Sequence, residues 1–173
     1  MDRNTLVIGG CRSGKSRWAL TAAEKRSPAR KCFIATCDPQ DDEMKARVQR
    51  HRQERDPAWQ AVESPLRLPQ AIATHRDRAD VILVDCLTVW LGNLMLSNPD
   101  SLALETGVAE LEAALRLPGC PLFLVSNEVG AGIVPENPLA RRFRDAAGFL
   151  NQRIAGLCDK VVWMVAGIAV PVK

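Results

Sequence analysis

The 173-residue chain has only two histidines, and none of its six cysteines forms a C-x-x-C pair. Zinc-ligand spacing is therefore absent. No apolar run is long enough to span a bilayer, and the N-terminus enters a strand-like run without an h-region or cleavage site. A membrane span and a secretory signal are both excluded as expectations. Internal repeats, low-complexity tracts and linkers are missing too, so residues 1–173 are read as a single domain. With 47% hydrophobic composition, such a chain can build a sizeable core.

A formal charge of +3 is too small to argue for a nucleic-acid partner. The charge is unevenly spread, however. Residues 1–55 carry 13 Lys/Arg against 7 Asp/Glu, and the remainder 10 against 13. A basic N-terminal third suits a polyphosphate ligand, or simply a solvated surface. Several of Cys11, Cys32, Cys37, Cys86, Cys120 and Cys158 sit in apolar runs, as small buried hydrophobes do. Free thiols fit a reducing compartment, and the expected location is the cytoplasm.

The most informative stretch is Gly9-Gly10-Cys11-Arg12-Ser13-Gly14-Lys15-Ser16. Its spacing is G-x-x-x-x-G-K-S. It follows Thr5–Ile8, which reads as a buried strand, and precedes Arg17–Glu24, which reads as a helix. Strand, loop and helix in that order define a P-loop. Its glycines let backbone N–H groups close around phosphate oxygens. Lys15 reaches the β- and γ-phosphates, and Ser16 presents a hydroxyl to a phosphate-bound Mg²⁺.

Further strands are expected at Lys31–Thr36, Trp59–Glu63, Asp80–Asp85 and Pro121–Ser126, with Lys160–Val165 as the last. Helices are expected over Asp41–Glu54, from Ser64-Pro65 to about His75, over Cys86–Leu96, from Asp100 or Ser101 to about Leu117, and over Leu139–Leu157. Asn127–Pro138 is a Gly/Pro-rich loop long enough to suggest function. Nearly all-apolar strands alternating with helices predict an α/β, P-loop NTPase-like domain: a mostly parallel sheet with helices on both faces.

A P-loop needs an acid to hold its metal at the end of a neighbouring strand, and Asp85 closes the run Val81–Val84. In the polar helix, Arg47, His51 and Arg55 are spaced i, i+4, i+8 on one face. On spacing alone His51 is either a solvent-facing side chain or a nucleophile. A neutral imidazole attacking phosphorus gives a phosphoramidate, with arginines stabilising the developing charge. His75 has no comparable neighbourhood. The residues alone thus give a protein that handles nucleoside triphosphate and Mg²⁺, with its acceptor open.

Taken together, Gly9–Ser16, Ile34-Ala35-Thr36, Asp42-Glu43-Met44 with Arg47, His51, Arg52 and Arg55, Trp59 with Glu63, Asp85–Leu91, Asn93-Leu94, Val125–Pro135, Arg142–Asp145, Gly148 and Asn151-Gln152 resemble a known family. It is the bifunctional adenosylcobinamide kinase / adenosylcobinamide-phosphate guanylyltransferase family of cobalamin biosynthesis, and the resemblance runs along essentially the whole chain. It implies transfer of the γ-phosphate of ATP or GTP to the aminopropanol hydroxyl of adenosylcobinamide. It further implies guanylylation of a histidine by GTP, then transfer of GMP to adenosylcobinamide phosphate to give adenosylcobinamide-GDP. The guanylylated histidine falls on His51. Nucleotide contacts fall on Gly9–Ser16, on Thr36, Cys37 and Asp38, and on Gln53, Glu54, Arg55 and Asp56. Glu63 matches an acid suited to guanine, because a carboxylate accepts from both N1–H and the exocyclic amine. The metal-side acid falls on Asp85, and a homotrimer with sites near subunit contacts is implied. Four positions depart from the family pattern. Cys11 stands where alanine is usual, Cys37-Asp38 replace variable polar residues, and Ala169 replaces a frequent proline. A small-molecule kinase without a covalent step and a GTP-binding regulatory module are the competing readings.

Overall fold

A computed structural model describes residues 3–26, 29–39, 42, 46, 49, 56–98 and 100–173. Among these, seven strands form one sheet in the order β3-β2-β4-β5-β1-β6-β7. They are β1 (Asn4–Gly9), β2 (Lys31–Ala35), β3 (Trp59–Glu63), β4 (Val81–Asp85), β5 (Leu122–Asn127), β6 (Lys160–Val165) and β7 (Ile168–Pro171). The described helices are α1 (Lys15–Glu24), α2 (Leu68–His75), α3 (Leu87–Ser97), α4 (Ser101–Arg116) and α5 (Pro138–Leu157).

The continuous apolar strands are explained by burial on both sides. Along β4, Val81 and Leu83 face the α1 side with Ala19 and Ala23, whereas Ile82 and Val84 pack under α2, α3, α4 and α5. Successive residues of a strand point to opposite faces, so a strand covered twice needs no polar alternation. Local chemistry sets the helix starts. Asp100 accepts from the Leu102 N–H to cap α4, and Asn137 accepts from the Ala140 N–H ahead of Pro138 to cap α5. The mostly parallel α/β architecture with helices on both faces is as the sequence predicts.

Two features differ from the sequence reading. Lys160–Val165 is not the last strand: Ala166 (φ 50°) and Gly167 (φ 83°) form a tight turn, and β7 returns antiparallel to β6. Consecutive left-handed residues are what a two-residue hairpin requires, and Ala-Gly is a weak signal for one. The strand bearing Asp85 is also not next to β1. It is separated from β1 by β5, which pairs in parallel with both. Strand order depends on long-range crossovers, which local pattern does not encode.

Candidate phosphate-binding site

Every parallel strand ends at the same edge of the sheet, and most of the candidate residues collect there. The loop Gly9–Ser16 follows β1, Thr36–Asp38 follow β2, Glu63 ends β3 and Asp85 ends β4. The edge beyond the C-terminal ends of parallel strands is where open α/β sheets bind ligands.

The loop after β1 is shaped by close contacts. A Cβ on Gly9 would lie 2.6 Å from the Met164 carbonyl oxygen and 2.8 Å from Ser13 Oγ, so only glycine fits. Gly14 caps α1 at φ 91°, a left-handed conformation suited to glycine, and no side chain caps the helix. Among the described residues, the first turn of α1 thus has no N-cap side chain over its N–H groups. Lys15 is 7% exposed, and its ammonium donates to the Gly10 carbonyl at 2.7 Å, folded back over the loop. Ser16 is half-buried in the first turn, while Cys11 and Arg12 are exposed at the loop's crest.

A buried polar lattice fixes the ends of the neighbouring strands. The Thr36 N–H donates to the Asp85 carbonyl at 3.2 Å. Its hydroxyl both donates to the Cys86 carbonyl and accepts from the Cys86 N–H. Asn93 donates to the carbonyls of Thr36 and Pro65, tying the ends of β2 and β3 together. On β5, Ser126 donates to Asn151 Oδ1 at 2.6 Å, and Thr88 Oγ1 accepts from the Asn127 N–H at 2.7 Å. Asn151 in turn donates to the Asn127 carbonyl at 3.1 Å, and the Glu128 N–H donates to the Gly9 carbonyl at 3.0 Å. The segment after β5 is thereby joined to the first glycine of the phosphate loop.

Burial pushes the Cys86 thiol up to about 12; the Asp85 carboxylate adds to the rise and the Lys15 ammonium opposes it. Asp85 and Lys15 therefore act electrostatically on one thiol, although β5 lies between β4, which ends in Asp85, and β1, which leads into the loop before Lys15. Asp85 itself is half-buried and opens to the edge.

Asp56 is not brought to this edge. It precedes β3 and binds the Lys31 ammonium at 2.9 Å where β2 begins, a strand's length away. The Ala58 N–H and the Lys31 ammonium hold its carboxyl below the usual range. Cys37 is half-buried, whereas Asp38 and Glu63 are exposed. His51, Gln53, Glu54 and Arg55 lie outside the described residues. The sequence reading counted Asn93, Thr88, Ser126 and Asn151 among the residues of the resemblance but gave them no role as structural anchors of the edge. A polar residue inside an otherwise apolar run, such as Ser126 after Leu122–Val125, is the signal available for them.

Comparison with known proteins identifies the family. The family described as cobinamide kinase / cobinamide phosphate guanyltransferase matches residues 5–172. A bifunctional adenosylcobalamin biosynthesis protein of Pseudomonas aeruginosa is 42% identical over 168 residues, covering 97% of this chain and 96% of the relative. Proteins of that description from Escherichia coli and Salmonella typhimurium are 39% and 41% identical, covering 97% of this chain and 98% of each relative. No described helix is long and apolar enough to cross a membrane. The chain belongs to the cobinamide kinase / cobinamide phosphate guanyltransferase family.

Proposed function

We propose that the protein carries out two successive transfers at the Gly9–Ser16 edge. In the first, the aminopropanol hydroxyl of adenosylcobinamide attacks the γ-phosphorus of ATP or GTP. A new O–P bond forms, the nucleoside diphosphate leaves, and the hydroxyl proton is released. In the second, an imidazole nitrogen of His51 attacks the α-phosphorus of GTP and pyrophosphate leaves. The resulting N–P bond is broken by a phosphate oxygen of adenosylcobinamide phosphate, which gives adenosylcobinamide-GDP and frees His51. The observation that carries this reading is the tight loop from Gly9 to the uncapped start of α1, in a chain of this family.

Within it, the loop amides and Lys15 hold the triphosphate in place for either nucleophile. Thr36 acts through its lattice, aligning Cys37, Asp38 and Asp85 rather than offering a free hydroxyl. Glu63 is exposed at the end of β3, as an acid that accepts from guanine must be. Among the described residues no three His, Cys, Asp or Glu side chains cluster as an all-protein metal cage. The hard oxygens of Ser16 and Asp85 instead fit an ion that takes few protein ligands and completes its shell with phosphates and water. Mg²⁺ bound there would neutralise charge on the triphosphate. The homotrimer and the cytoplasmic location belong to the same reading, and Asp56 is not assigned to the nucleotide held by its own chain.

Following the γ-phosphate tests the first transfer. With γ-labelled GTP and adenosylcobinamide, label should enter the corrinoid in both the native protein and His51→Ala. Lys15→Ala should lose the transfer by at least about a hundredfold. Transfer that survives Lys15→Ala would refute the assignment.

A further inference from the structure

We infer that the Ala166–Gly167 turn between β6 and β7 is a positioning element for the phosphate loop, acting through the Gly167 N–H. The inference rests on reading Gly9–Ser16 as the nucleotide's phosphate loop. The hairpin lies outside that motif, yet it meets the loop at three of its residues. The Gly167 N–H donates to the Ser13 carbonyl at 3.0 Å. Gly9 pairs with Met164 across β1 and β6, close enough that any side chain on Gly9 would strike the Met164 carbonyl. Gly14 approaches the turn so closely that an added Cβ would sit 3.4 Å from Gly167 Cα and 3.8 Å from Met164 Cε.

The bond to Ser13 has a directional consequence. The Ser13 carbonyl and the Gly14 N–H belong to one planar trans peptide unit, so they point in opposite directions. Turning the carbonyl toward the hairpin turns the Gly14 N–H away from it, as a donor for a phosphate oxygen. A loop without this anchor lets that peptide rotate, and binding must then pay to order it. The Ser13 side chain offers no substitute, because its hydroxyl is buried without a hydrogen-bond partner among the described residues.

The turn is suited to this task. Ala166 and Gly167 both adopt left-handed φ, which aims the Gly167 N–H out of the β6–β7 ladder rather than across it. A Cβ on Gly167 would meet nothing within 4 Å, so conformation, not space, calls for glycine. Asparagine tolerates left-handed φ and keeps the N–H. Proline has neither property.

The test compares the full-length native protein with Gly167→Pro and Gly167→Asn by fluorescence titration of a GTP analogue, alongside corrinoid KM and thermal midpoint. Gly167→Pro should weaken GTP binding about tenfold, the scale of one oriented hydrogen bond, and leave the corrinoid KM unchanged. Gly167→Asn should stay within about twofold of native binding. A folded Gly167→Pro that binds GTP normally overturns the inference. So does a Gly167→Asn variant as weak as the proline variant. If Gly167→Pro does not fold, amide exchange on the native protein decides. GTP should slow exchange at Gly167 about tenfold, and unchanged exchange overturns the proposal. A native protein that binds no GTP overturns the reading of Gly9–Ser16 and this inference together. Normal native binding with an indifferent Gly167 overturns this inference alone.

Discussion

The Thr36 hydroxyl donates to the Cys86 carbonyl and accepts from the Cys86 N–H, each at 2.8 Å. One fully buried side chain thus staples the end of β2 to the residue that follows Asp85. Thr36→Val keeps the shape but strips both bonds; the Cys86 carbonyl still accepts from the Trp90 N–H at 3.2 Å, but the buried Cys86 N–H is left unpaired at a cost of about 1–3 kcal/mol. Thermal unfolding should show a clearly lowered Tm, and kinase kcat should fall as Asp85 loses its alignment. Thr36→Ser should restore most of both. Native-like melting of Thr36→Val would show that the staple contributes nothing.

A second stability determinant lies away from the site. Gly119 has φ +144°, and a Cβ there would sit 2.4 Å from both the carbonyl oxygen and Cγ of Arg76. Arg76 is itself buried, bonded to Asn4 Oδ1 and the Leu117 carbonyl. Gly119→Ala must push this packed region apart, costing about 1–3 kcal/mol in denaturant unfolding. GTP affinity should not change, because the strain lies at the far end of the sheet.

These two cases also mark how much the sequence discloses. The phosphate loop was legible because its chemistry is local: strand, glycines, lysine and helix follow one another within Thr5–Glu24. The apolar runs of β2, β4 and β5 were legible for the same reason. The Thr36–Cys86 staple joins residues fifty positions apart, and the Ser126–Asn151 bond joins residues twenty-five apart. No periodicity reports such pairings. The insertion of β5 between β1 and β4 is likewise a property of crossovers. The β7 return was hidden by brevity, since four residues ending in Pro171 carry too little pattern to announce a strand.

Acid pH should expose a carboxylate at the opposite edge. Asp159 Oδ2 accepts the N–H groups of Arg3 and Asn4 at 2.8 and 2.9 Å, and these bonds hold its carboxyl below the usual range. A depressed folded pKa gives stability that is present above the ordinary carboxylate value, about 4, and is lost as pH falls through the lower folded one. Asp159→Asn should therefore be less stable at neutral pH and should flatten the decline in urea midpoint on the acid side. Parallel pH profiles for native and variant proteins would contradict this.

Thiol labelling distinguishes the loop from the core. Cys11 is exposed in the phosphate loop, whereas Cys32, Cys86 and Cys158 are buried and their thiols are pushed up to about 12, chiefly by burial. The thiolate is the reacting form, so the buried three should resist maleimide until the protein unfolds. Cys11 should label quickly, and GTP should slow its labelling by occupying the loop. Peptide mass spectrometry reads both effects. Labelling of Cys11 at one rate with and without GTP would place the nucleotide elsewhere.

The central claim is that one phosphate loop presents GTP to two nucleophiles, one of them His51. Incubation of the purified protein with α-labelled GTP tests it most directly. The account predicts a protein-bound label that is acid-labile and alkali-stable, as a phosphoramidate is, and that is discharged into product by adenosylcobinamide phosphate. His51→Ala should carry no label yet retain kinase activity, and Lys15→Ala should lose both. Equal labelling of His51→Ala and native protein would contradict the account.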